Sequence, residues 1–517
     1  MLRPKNPQES FYGSYLYDRI VPSDHLLLQI NQVVDFSFVN NLVKDRYTPD
    51  FGRPAEDPEF MLRLCLLQYL YGDSDRRVVE NARLNLAYKY FLGLPVDGEV
   101  PDDTTISFFR AKRLGEEKFR QVFEQIVQQC IDKGLVKGKR QIIDSTHIQA
   151  DVARSSLAGL VRMCRRNVLF DIAGQDGKLA EQLGINKVGM RKQDRFTRKE
   201  EGLEEEVQEA KGLLDEVANC LKQGELRVTP ELVKDLELLE KAAIADREDD
   251  SKDRLVSPVD PGARMGKKES KQWVGYKGHL VAEEESEIIA AIETTPANTD
   301  DGTQLKPLLD QQEKAHAVIP DELSGDKAYD SGANLELLEG RSITGYISLS
   351  SKSNHTGEDF FTVDDFTYDE ANNTLTCPAG NLAPYQRRAV FQTEDQSKKG
   401  TVFLFRPEQC NSCELKPICT ESERGRSVYI SYYEPWYRQM KERMASEAGE
   451  EAYRNRYRVE HKIADLARYC GMRRSRYRGL IRTSIHTLLA ALASNVKRMA
   501  KMLWKAPLEA IPKPASG

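Results

Sequence analysis

The sequence predicts an α/β fold, with a helical region before the sheet and a helical insertion within it. Apolar residues recur at helical spacing between 57 and 134. Strand patterns follow at 139–144 (KRQIID) and at 272–295, where a strand, an acidic turn and a second strand succeed one another. The pattern between these strands, over 200–247, is helical again. We therefore expect a sheet that helices both precede and interrupt.

The N-terminal region, residues 1–134, is predicted to be a helical domain for DNA binding or dimerisation. One helix is expected over 115–133, where apolar residues share a face. The cap sequence at 102–105 (DDTT) begins a shorter helix that carries Arg110 and Arg113. Two interpretations of these basic residues stay open: the short helix enters a DNA groove, or it presents a solvated face while packing on its neighbours.

Residues 155–250 are predicted to form the helical insertion. An apolar stripe runs over 203–221, and Gly224 ends it. Thr229 and Pro230 then begin a second helix, with the threonine as its cap and the proline in its first turn. The pattern therefore predicts a helical hairpin inserted into another domain.

The second half of the chain alternates between sheet and helix. A helix is predicted over 303–315, and strands are predicted near 322–326 and over 343–350. Residues 352–432 are rich in Asn, Thr, Asp, Gly and Cys, which indicates a second insertion, and 434–505 is strongly helical.

The bulk composition permits DNA binding through local basic patches. The chain has 517 residues, of which 40% are apolar and 30% charged, and its net charge is −6. A negative chain argues mildly against DNA binding, because phosphate contacts need Lys and Arg. However, basic residues concentrate at 186–199 and at 473–482. No apolar run suits a membrane span or a signal peptide, so we expect a cytoplasmic protein with a flexible tail at 506–517.

Three acidic residues stand in contexts that suit a catalytic metal site. Asp144 ends an apolar strand, Asp326 follows a strand and a glycine, and Glu460 lies in a helix. Two Mg²⁺ or Mn²⁺ ions held by such carboxylates can activate an attacking hydroxyl and stabilise a leaving 3′-oxygen. Asp300 and Asp330 are alternative ligands, which we rank lower because Asp326 follows its strand directly. His147 could bind phosphate, although a lone histidine is more often structural.

The helix that contains Glu460 carries two further candidates. Tyr453, Arg456 and Glu460 stand at i, i+3 and i+7, which places them on one helical face. Arg456 can bind a phosphate through two hydrogen bonds, and Tyr453 can bind a phosphate or stack on a base. We therefore predict that both contact the DNA that the metal ions engage.

These residues match a known motif. The spacing resembles the Tyr-x₂-Arg-x₃-Glu-x₆-Lys pattern of bacterial insertion-sequence DDE transposases, except that Ala467 occupies the lysine position; Lys462 is near but out of register. Five further segments resemble the same family, and they are 144–146 (DST), 275–279 (GYKGH), 298–301 (NTDD), 325–330 (GDKAYD) and 495–498 (NVKR). The resemblance is to the subgroup with an N-terminal helical transposase domain.

The resemblance implies a catalytic domain over 135–505 with a ribonuclease-H-like fold, interrupted by the two insertions. It implies catalysis by Asp144, Asp326 and Glu460 with two Mg²⁺ or Mn²⁺ ions, and DNA contacts that include Lys277 and Lys462. The partners would be the terminal inverted repeats, target DNA and further copies of the chain, as a homodimer or larger oligomer. The protein would be bacterial and associated with the nucleoid when bound to DNA.

Four cysteines in the second insertion suggest a structural zinc site. Cys410 and Cys413 form a C-x₂-C pair, and Cys377 and Cys419 could complete a tetrahedral site. The segment is polar, so a metal ion could hold it together. The alternative is that these cysteines are free thiols in a loop region. The other five cysteines fall in helical patterns and are expected in the core.

The function expected from the sequence is cleavage at transposon ends followed by strand transfer into target DNA. Two alternatives use the same residues differently. A ribonuclease-H-like nuclease or resolvase would cut without joining, and a transposase-derived DNA-binding protein would not cut at all. The intact Asp, Asp, Glu set argues against the latter.

Overall fold

A computed structural model describes residues 11–47, 55–188, 202–248, 253–268, 270–350, 360–392 and 397–504. Most of the basic run at 186–199, and the tail at 506–517, lie outside these residues. The chain divides into two compact units. The first unit comprises Met1–Lys137, Ser145–Thr299 and Val459–Gly517, and the second comprises Gly138–Asp144 and Asp300–Arg458.

Helices dominate the described residues, and strands are grouped in the middle of the chain. The helices are α1 (Phe11–Ile20), α2 (Leu26–Val33), α3 (Phe38–Leu42), α4 (Pro58–Tyr71), α5 (Asp75–Leu84), α6 (Leu86–Leu92), α7 (Asp103–Phe108), α8 (Gly115–Asp132), α9 (Leu157–Gln175), α10 (Gly177–Gln182), α11 (Leu203–Gln223), α12 (Pro230–Glu240), α13 (Asp246–Glu248), α14 (Leu305–His316), α15 (Gly332–Gly340), α16 (Pro407–Asn411), α17 (Glu434–Met444), α18 (Glu447–Asn455), α19 (Tyr457–Tyr469) and α20 (Leu480–Leu503). The strands are β1 (Arg140–Gln149), β2 (Arg264–Lys268), β3 (Lys271–Glu283), β4 (Ile289–Pro296), β5 (Glu322–Gly325), β6 (Thr344–Ile347), β7 (Thr367–Asp369), β8 (Thr374–Thr376), β9 (Tyr385–Gln392), β10 (Ser397–Leu404) and β11 (Ser427–Ser431).

In the first unit, the N-terminal helices α1–α8 pack around the C-terminal helix α20. Helix α20 contacts α2, α4, α8 and β4, and most of its side chains are buried. A helix that is buried on most sides belongs in a core, and its buried polar side chains need hydrogen-bond partners there. The Tyr69 hydroxyl lies 2.9 Å from Nδ1 of His486, and the Asn495 side chain hydrogen-bonds both backbone groups of Ile289. The beginning and the end of the chain therefore share one core.

The helical insertion is larger than a hairpin. Helices α11 and α12 confirm the predicted pair, with Thr229 as the cap and Gly224 at positive φ. Helix α9 packs against both of them. Glu206 of α11 is buried and accepts hydrogen bonds from Arg162 and Arg165 of α9. The insertion is therefore a helical bundle with its own apolar core and a buried ion pair.

Strand β1 is longer than the sequence suggested. It continues past Asp144, where the first segment of the second unit ends, into the first unit. In the first unit, β3 pairs antiparallel with β2 and with β4 and lies beside β1. Gly275 of β3 permits this close approach, since a Cβ there would lie 2.1 Å from the Ile148 carbonyl oxygen. In the second unit, β5 runs parallel to β1 and to β6. The predicted strands of β3, β4, β5 and β6 are confirmed, and the expectation that β1 ends at Asp144 is wrong.

The second unit also holds the cysteine-containing insertion. Strands β9, β10 and β11 form an antiparallel sheet, and β7 pairs with β8. Six buried side chains form its core: Phe366, Leu375, Phe403, Phe405, Val428 and Ile430. The expectation that this segment lacks an apolar core is wrong, so its packing alone can stabilise it.

No helix in the described part of the chain is long and apolar enough to cross a membrane.

Candidate active site

Two of the three predicted catalytic carboxylates lie on neighbouring parallel strands of the second unit. Arg140 of β1 lies opposite Glu322 of β5 and Ile142 lies opposite Ser324, so the same offset places Asp144 opposite Asp326. Neighbouring strands are about 4.8 Å apart. Both aspartates are half-buried. The parallel register therefore brings the two carboxylates side by side.

The turn after β5 fixes the position of Asp326. Its carboxylate accepts a hydrogen bond from the Ala328 backbone N–H at 2.9 Å, which caps a short 3₁₀ turn. Gly325, directly before it, has no room for a side chain, because a Cβ would lie 2.9 Å from Ile143. The Gly-Asp pair is thus a packing requirement of the parallel strands as well as a motif.

The alternative carboxylates hold backbone turns. Asp330 accepts a hydrogen bond from the Ser350 backbone N–H at 2.7 Å. Asp300 accepts one from the Gly302 backbone N–H at 2.9 Å and caps the turn that leads into α14. Both residues therefore have structural tasks at which a carboxylate or an amide serves equally well.

Tyr329 marks the place where the charged groups of the second unit converge. Its side chain is buried, and among the described residues its hydroxyl has no hydrogen-bond partner. Burial raises the pKa of Tyr329 well above its ordinary value of 10, and the carboxylates of Asp301, Asp144 and Asp326 raise it further, while Arg456 opposes them. Tyr329 and Asp301 were not among the predicted site residues. The signal that could have identified them is that they lie within the family-like segments 326–330 (DKAYD) and 298–301 (NTDD).

The helix that was expected to carry Tyr453, Arg456 and Glu460 is interrupted. Helix α18 ends at Asn455, and Arg456 is its C-cap residue with right-handed helical dihedrals. The Arg456 guanidinium lies 6.0 Å from the centroid of the Tyr453 ring, which is 59% exposed. The contact between Tyr453 and Arg456 is present, and the expectation that Glu460 shares their helical face stays a prediction.

Glu460 belongs to the first unit, where it lies exposed in the first turn of α19. A carboxylate at this position is favourable because the N-terminal end of a helix carries partial positive charge. Ala467, at the lysine position of the motif, is half-buried on the same helix.

Two predicted DNA contacts on β3 and α19 are engaged inside the first unit. Lys462 is 3% exposed, its ammonium donates to the Ser494 hydroxyl at 3.3 Å, and it lies 3.9 Å from Glu287. Burial lowers the pKa of Lys462. Lys277 is half-buried and donates to the Thr299 carbonyl oxygen at 2.8 Å. Lys462 is thus corrected to an interior residue, since a buried ammonium cannot reach a DNA phosphate.

The two arginines of the predicted DNA-binding helix are also engaged. Arg110 is 5% exposed, pairs with Asp75 and stacks over the Tyr477 ring at 5.0 Å. Its predicted DNA contact is corrected to a buried ion pair. Arg113 is half-buried and lies 4.5 Å from the Tyr47 ring centroid. Of the two interpretations of this helix, entry into a DNA groove or packing on its neighbours, the burial of Arg110 agrees with packing.

The four cysteines of the second insertion line one small cavity, together with Phe366 and Phe405. The backbone N–H of Arg426 donates to Sγ of Cys410 at 3.4 Å. However, no group of three or more His, Cys, Asp or Glu side chains in the described part of the chain is placed so that it could hold a metal ion. This geometry leaves zinc binding unsupported. The other five cysteines are buried, as predicted.

Comparison with protein families finds two matches. A model described as Transposase domain (DUF772) matches residues 15–112, and one described as Transposase DDE domain matches residues 376–500. Both matches support an insertion-sequence transposase of the DDE class. No curated protein and no solved structure matches the chain.

The two matches cover different parts of the chain. The first lies within the N-terminal helices, and the second covers most of the cysteine-containing insertion and the helices around Glu460. Asp144 and Asp326 lie between the matched segments. Their assignment therefore depends on the paired strands and on the order of the carboxylates along the chain.

Proposed function

We propose that this transposase cleaves DNA at transposon ends and joins the freed end to target DNA in a metal-dependent reaction. The observation that carries the proposal is the register of β1 and β5, which sets Asp144 and Asp326 side by side. Arg456, with its cationic side chain near the same Tyr329 hydroxyl, supplies a phosphate-binding group beside them.

The donor set suits a hard divalent cation. Asp144 and Asp326 offer carboxylate oxygens, which Mg²⁺ and Mn²⁺ prefer, and the buried Tyr329 hydroxyl lies near both. We propose these aspartates as ligands and Glu460 as the third. Glu460 is proposed on the order of the motif alone. When bound, two such ions would activate the attacking oxygen and stabilise the departing 3′-oxygen.

The remaining side chains would position the DNA. Arg456 can hold a phosphate oxygen while the carboxylates keep their places, and Tyr453, which is exposed, can contact a sugar or base. The half-burial of Asp144 and Asp326 limits the access of water to their oxygens. Positioning and charge stabilisation are the main tasks of a protein in phosphoryl transfer.

A ribonuclease-H-like core is part of the proposal. Its support is the order of strands around β1, whose neighbours are β3, paired antiparallel with β4, and β5, paired parallel with β6. A homodimer or larger oligomer is proposed because strand transfer requires two transposon ends to be held together.

The test uses isosteric substitutions of the three carboxylates. We expect Asp144→Asn, Asp326→Asn and Glu460→Gln each to abolish cleavage of a duplex that carries the sequences flanking the gene, while DNA binding and thermal stability persist. Each change removes a ligand charge with almost no change in volume. Asp330→Asn is the matched control and should cleave normally. Retained cleavage in any of the three variants would contradict the assignment.

A pre-cleaved transposon end separates the proposal from its alternatives. A transposase joins this end to a plasmid, whereas a nuclease or resolvase cuts without joining. A protein that binds the flanking DNA and neither cuts nor joins it, with either Mg²⁺ or Mn²⁺, is the idle DNA-binding alternative.

Zinc binding by Cys377, Cys410, Cys413 and Cys419 is a separate proposal, which rests on the C-x₂-C pair and on two further cysteines beside the same cavity, and not on a preformed metal-binding group among the described residues. Elemental analysis of the purified chain tests it directly. One zinc per chain, lost on replacing Cys410 and Cys413 with serine, is the expected result, and zinc-free protein of normal stability would show that the apolar core suffices.

A further inference from the structure

The first unit carries a cluster of exposed cations that the proposed catalytic site does not use. They come from the turn between β2 and β3 and from the segment between α19 and α20. We define this basic surface by five exposed residues: Lys268, Lys271, Arg473, Arg474 and Arg478. We propose that it binds the phosphate backbone of duplex DNA. The inference deepens the proposed function and rests on it for the choice of DNA as ligand.

The end of β1 holds the arginine segment in place. Gln149 donates its backbone N–H to the Arg473 carbonyl oxygen at 2.9 Å, and Ser475 donates its own to the Gln149 carbonyl oxygen at 2.8 Å. The segment therefore extends the edge of the sheet for a short distance. Arg473 and Arg474 are thus presented by a fixed backbone and not by a free loop.

His147, two residues before Gln149 on β1, lies at the centre of the surface. Nη1 of Arg473 lies 2.8 Å from its Nδ1, and the Trp273 ring centroid lies 5.1 Å from its own. Burial lowers the pKa of His147 to about 4, and Arg473, Lys268 and Lys271 lower it further in that order. Three cations from two separate segments of the chain therefore face this one imidazole.

The positive charge of the surface is only partly neutralised. Asp151 pairs with Arg474 and Arg478. Among the described residues, no carboxylate pairs with Lys268, Lys271 or Arg473. Uncompensated cations in a chain with a net charge of −6 require a physical reason, because like charges repel one another.

A DNA backbone fits this surface better than an isolated anion does. The cations are exposed and come from two segments, which suits a ligand with repeated charges, whereas one small anion would need an enclosed pocket. His147 stands three residues beyond Asp144 on one strand, about 10 Å along it.

Salt-dependent binding tests the proposal. The variant replaces Lys268, Lys271 and Arg473 with alanine in the full chain, and the probe is a fluorescent duplex of arbitrary sequence. The matched control replaces Lys211, Lys222 and Lys234, three exposed lysines of the helical insertion. Both variants lose three positive charges, so long-range effects of net charge are equal.

We expect the surface variant to bind DNA at least tenfold more weakly, and the control to bind like wild type. Each lost phosphate contact should make the slope of log affinity against log salt shallower by about 0.9, hence by about 2 to 3 in total between about 50 and 200 mM salt. The charge-conserving variant with Lys268→Arg, Lys271→Arg and Arg473→Lys should bind normally. It guards against a loss of binding that is caused by misfolding.

The outcomes separate this inference from the proposed function. Equal affinities and slopes for the surface variant and the control would overturn the inference, even if the wild-type chain cleaves and joins DNA. Weakened binding in the surface variant alone would support it, even if no cleavage is found. Selective binding of polyglutamate in place of DNA would also overturn it, because the surface would then serve an acidic protein partner.

Discussion

At the scale of single residues, the buried hydroxyl of Tyr329 is better explained by a role in the site than by a contribution to stability. A buried hydroxyl without a partner contributes nothing to folding, because its desolvation is not repaid by a hydrogen bond. Its place among Asp144, Asp326 and Asp301 is therefore best explained by a task in the site. It could donate to a carboxylate that binds a metal ion and so fix its orientation.

We predict that Tyr329→Phe slows DNA cleavage by about tenfold or more, the lower part of the range for outer-shell partners of metal ligands. The melting temperature should stay the same or rise, since only an unpartnered polar atom is removed. Cleavage rate and melting temperature are measured on one preparation. Tyr346→Phe, a buried tyrosine on β6, is the matched control. Unchanged cleavage in Tyr329→Phe would assign the residue to packing alone.

His147 should make the first unit sensitive to acid. Its pKa in the folded chain, about 4, is below the ordinary value of 6.5. The unfolded chain therefore takes up a proton in this window before the folded chain does, and stability falls as the pH is lowered from 6.5 towards 4. Above pH 6.5 both states are neutral at this site, and the effect vanishes.

We predict that His147→Gln reduces the fall in melting temperature between pH 6.5 and 4 and has little effect at pH 7.5. His25, His316 and His486 also have lowered pKa values, so the pH dependence should weaken and not disappear. Thermal melts of both proteins over this range give the comparison. Identical pH dependence would contradict the lowered pKa of His147.

Residue types alone could not reveal which charged side chains are buried. Arg110 pairs with Asp75, and Lys462 meets Ser494, and both partners are distant in sequence. Periodicity describes neighbours along one helix and carries no information on such contacts. Asp144 and Asp326 could be proposed from the sequence because each stands next to apolar strand residues, whereas Tyr329 acquires its surroundings only when β1 and β5 pair.

At the scale of elements, the sequence predicted helices and strands that have a clear apolar period. It did not predict where such elements are extended or interrupted. Helices α4, α8, α11 and α12 and strands β3 and β4 follow their apolar spacing and caps. Strand β1 continues past Asp144 because Thr146, Ile148 and Ala150 alternate as buried residues, a pattern hidden among polar neighbours. The interruption between α18 and α19 at Arg456 could not be predicted, because no Gly or Pro lies there.

The buried ion pair of the helical insertion gives a prediction at this scale. Glu206→Ala should remove the buried carboxylate that Arg162 and Arg165 share, while Arg165 keeps its ion pair with Glu209. Removing one partner of a buried ion pair typically costs about 3–5 kcal/mol, and the pair with Glu209 places the expected loss at the lower end. Glu205→Ala, an exposed change on the same helix, should have little effect. Hydrogen exchange of α9 and α11 amides measures both. Equal protection in the two variants would show that water reaches the two arginines.

At the scale of the whole molecule, the domain boundaries could not be drawn from the sequence. The prediction separated residues 1–134 from everything that follows, whereas helices α1–α8 share a compact unit with α20, nearly at the other end of the chain. The contacts of Tyr69 with His486 and of Glu116 with Ser484 join positions that lie more than 300 residues apart in the sequence. Composition and spacing give no hint of such pairs.

The shared core predicts which helices a destabilising substitution in α20 affects. Leu489 is fully buried on α20, and Leu338 is fully buried on α15 in the second unit. Each Leu→Ala change should destabilise its own unit by about 2–5 kcal/mol, because it leaves a cavity. With Leu489→Ala, hydrogen exchange should accelerate in α4 and α8 together with α20, although these helices lie more than 350 residues earlier. With Leu338→Ala, exchange should accelerate around β5 and β6 and leave α4 and α8 unchanged. If the effect of Leu489→Ala stayed within α20, the N-terminal helices would fold without it, and the domain boundary expected from the sequence would hold after all.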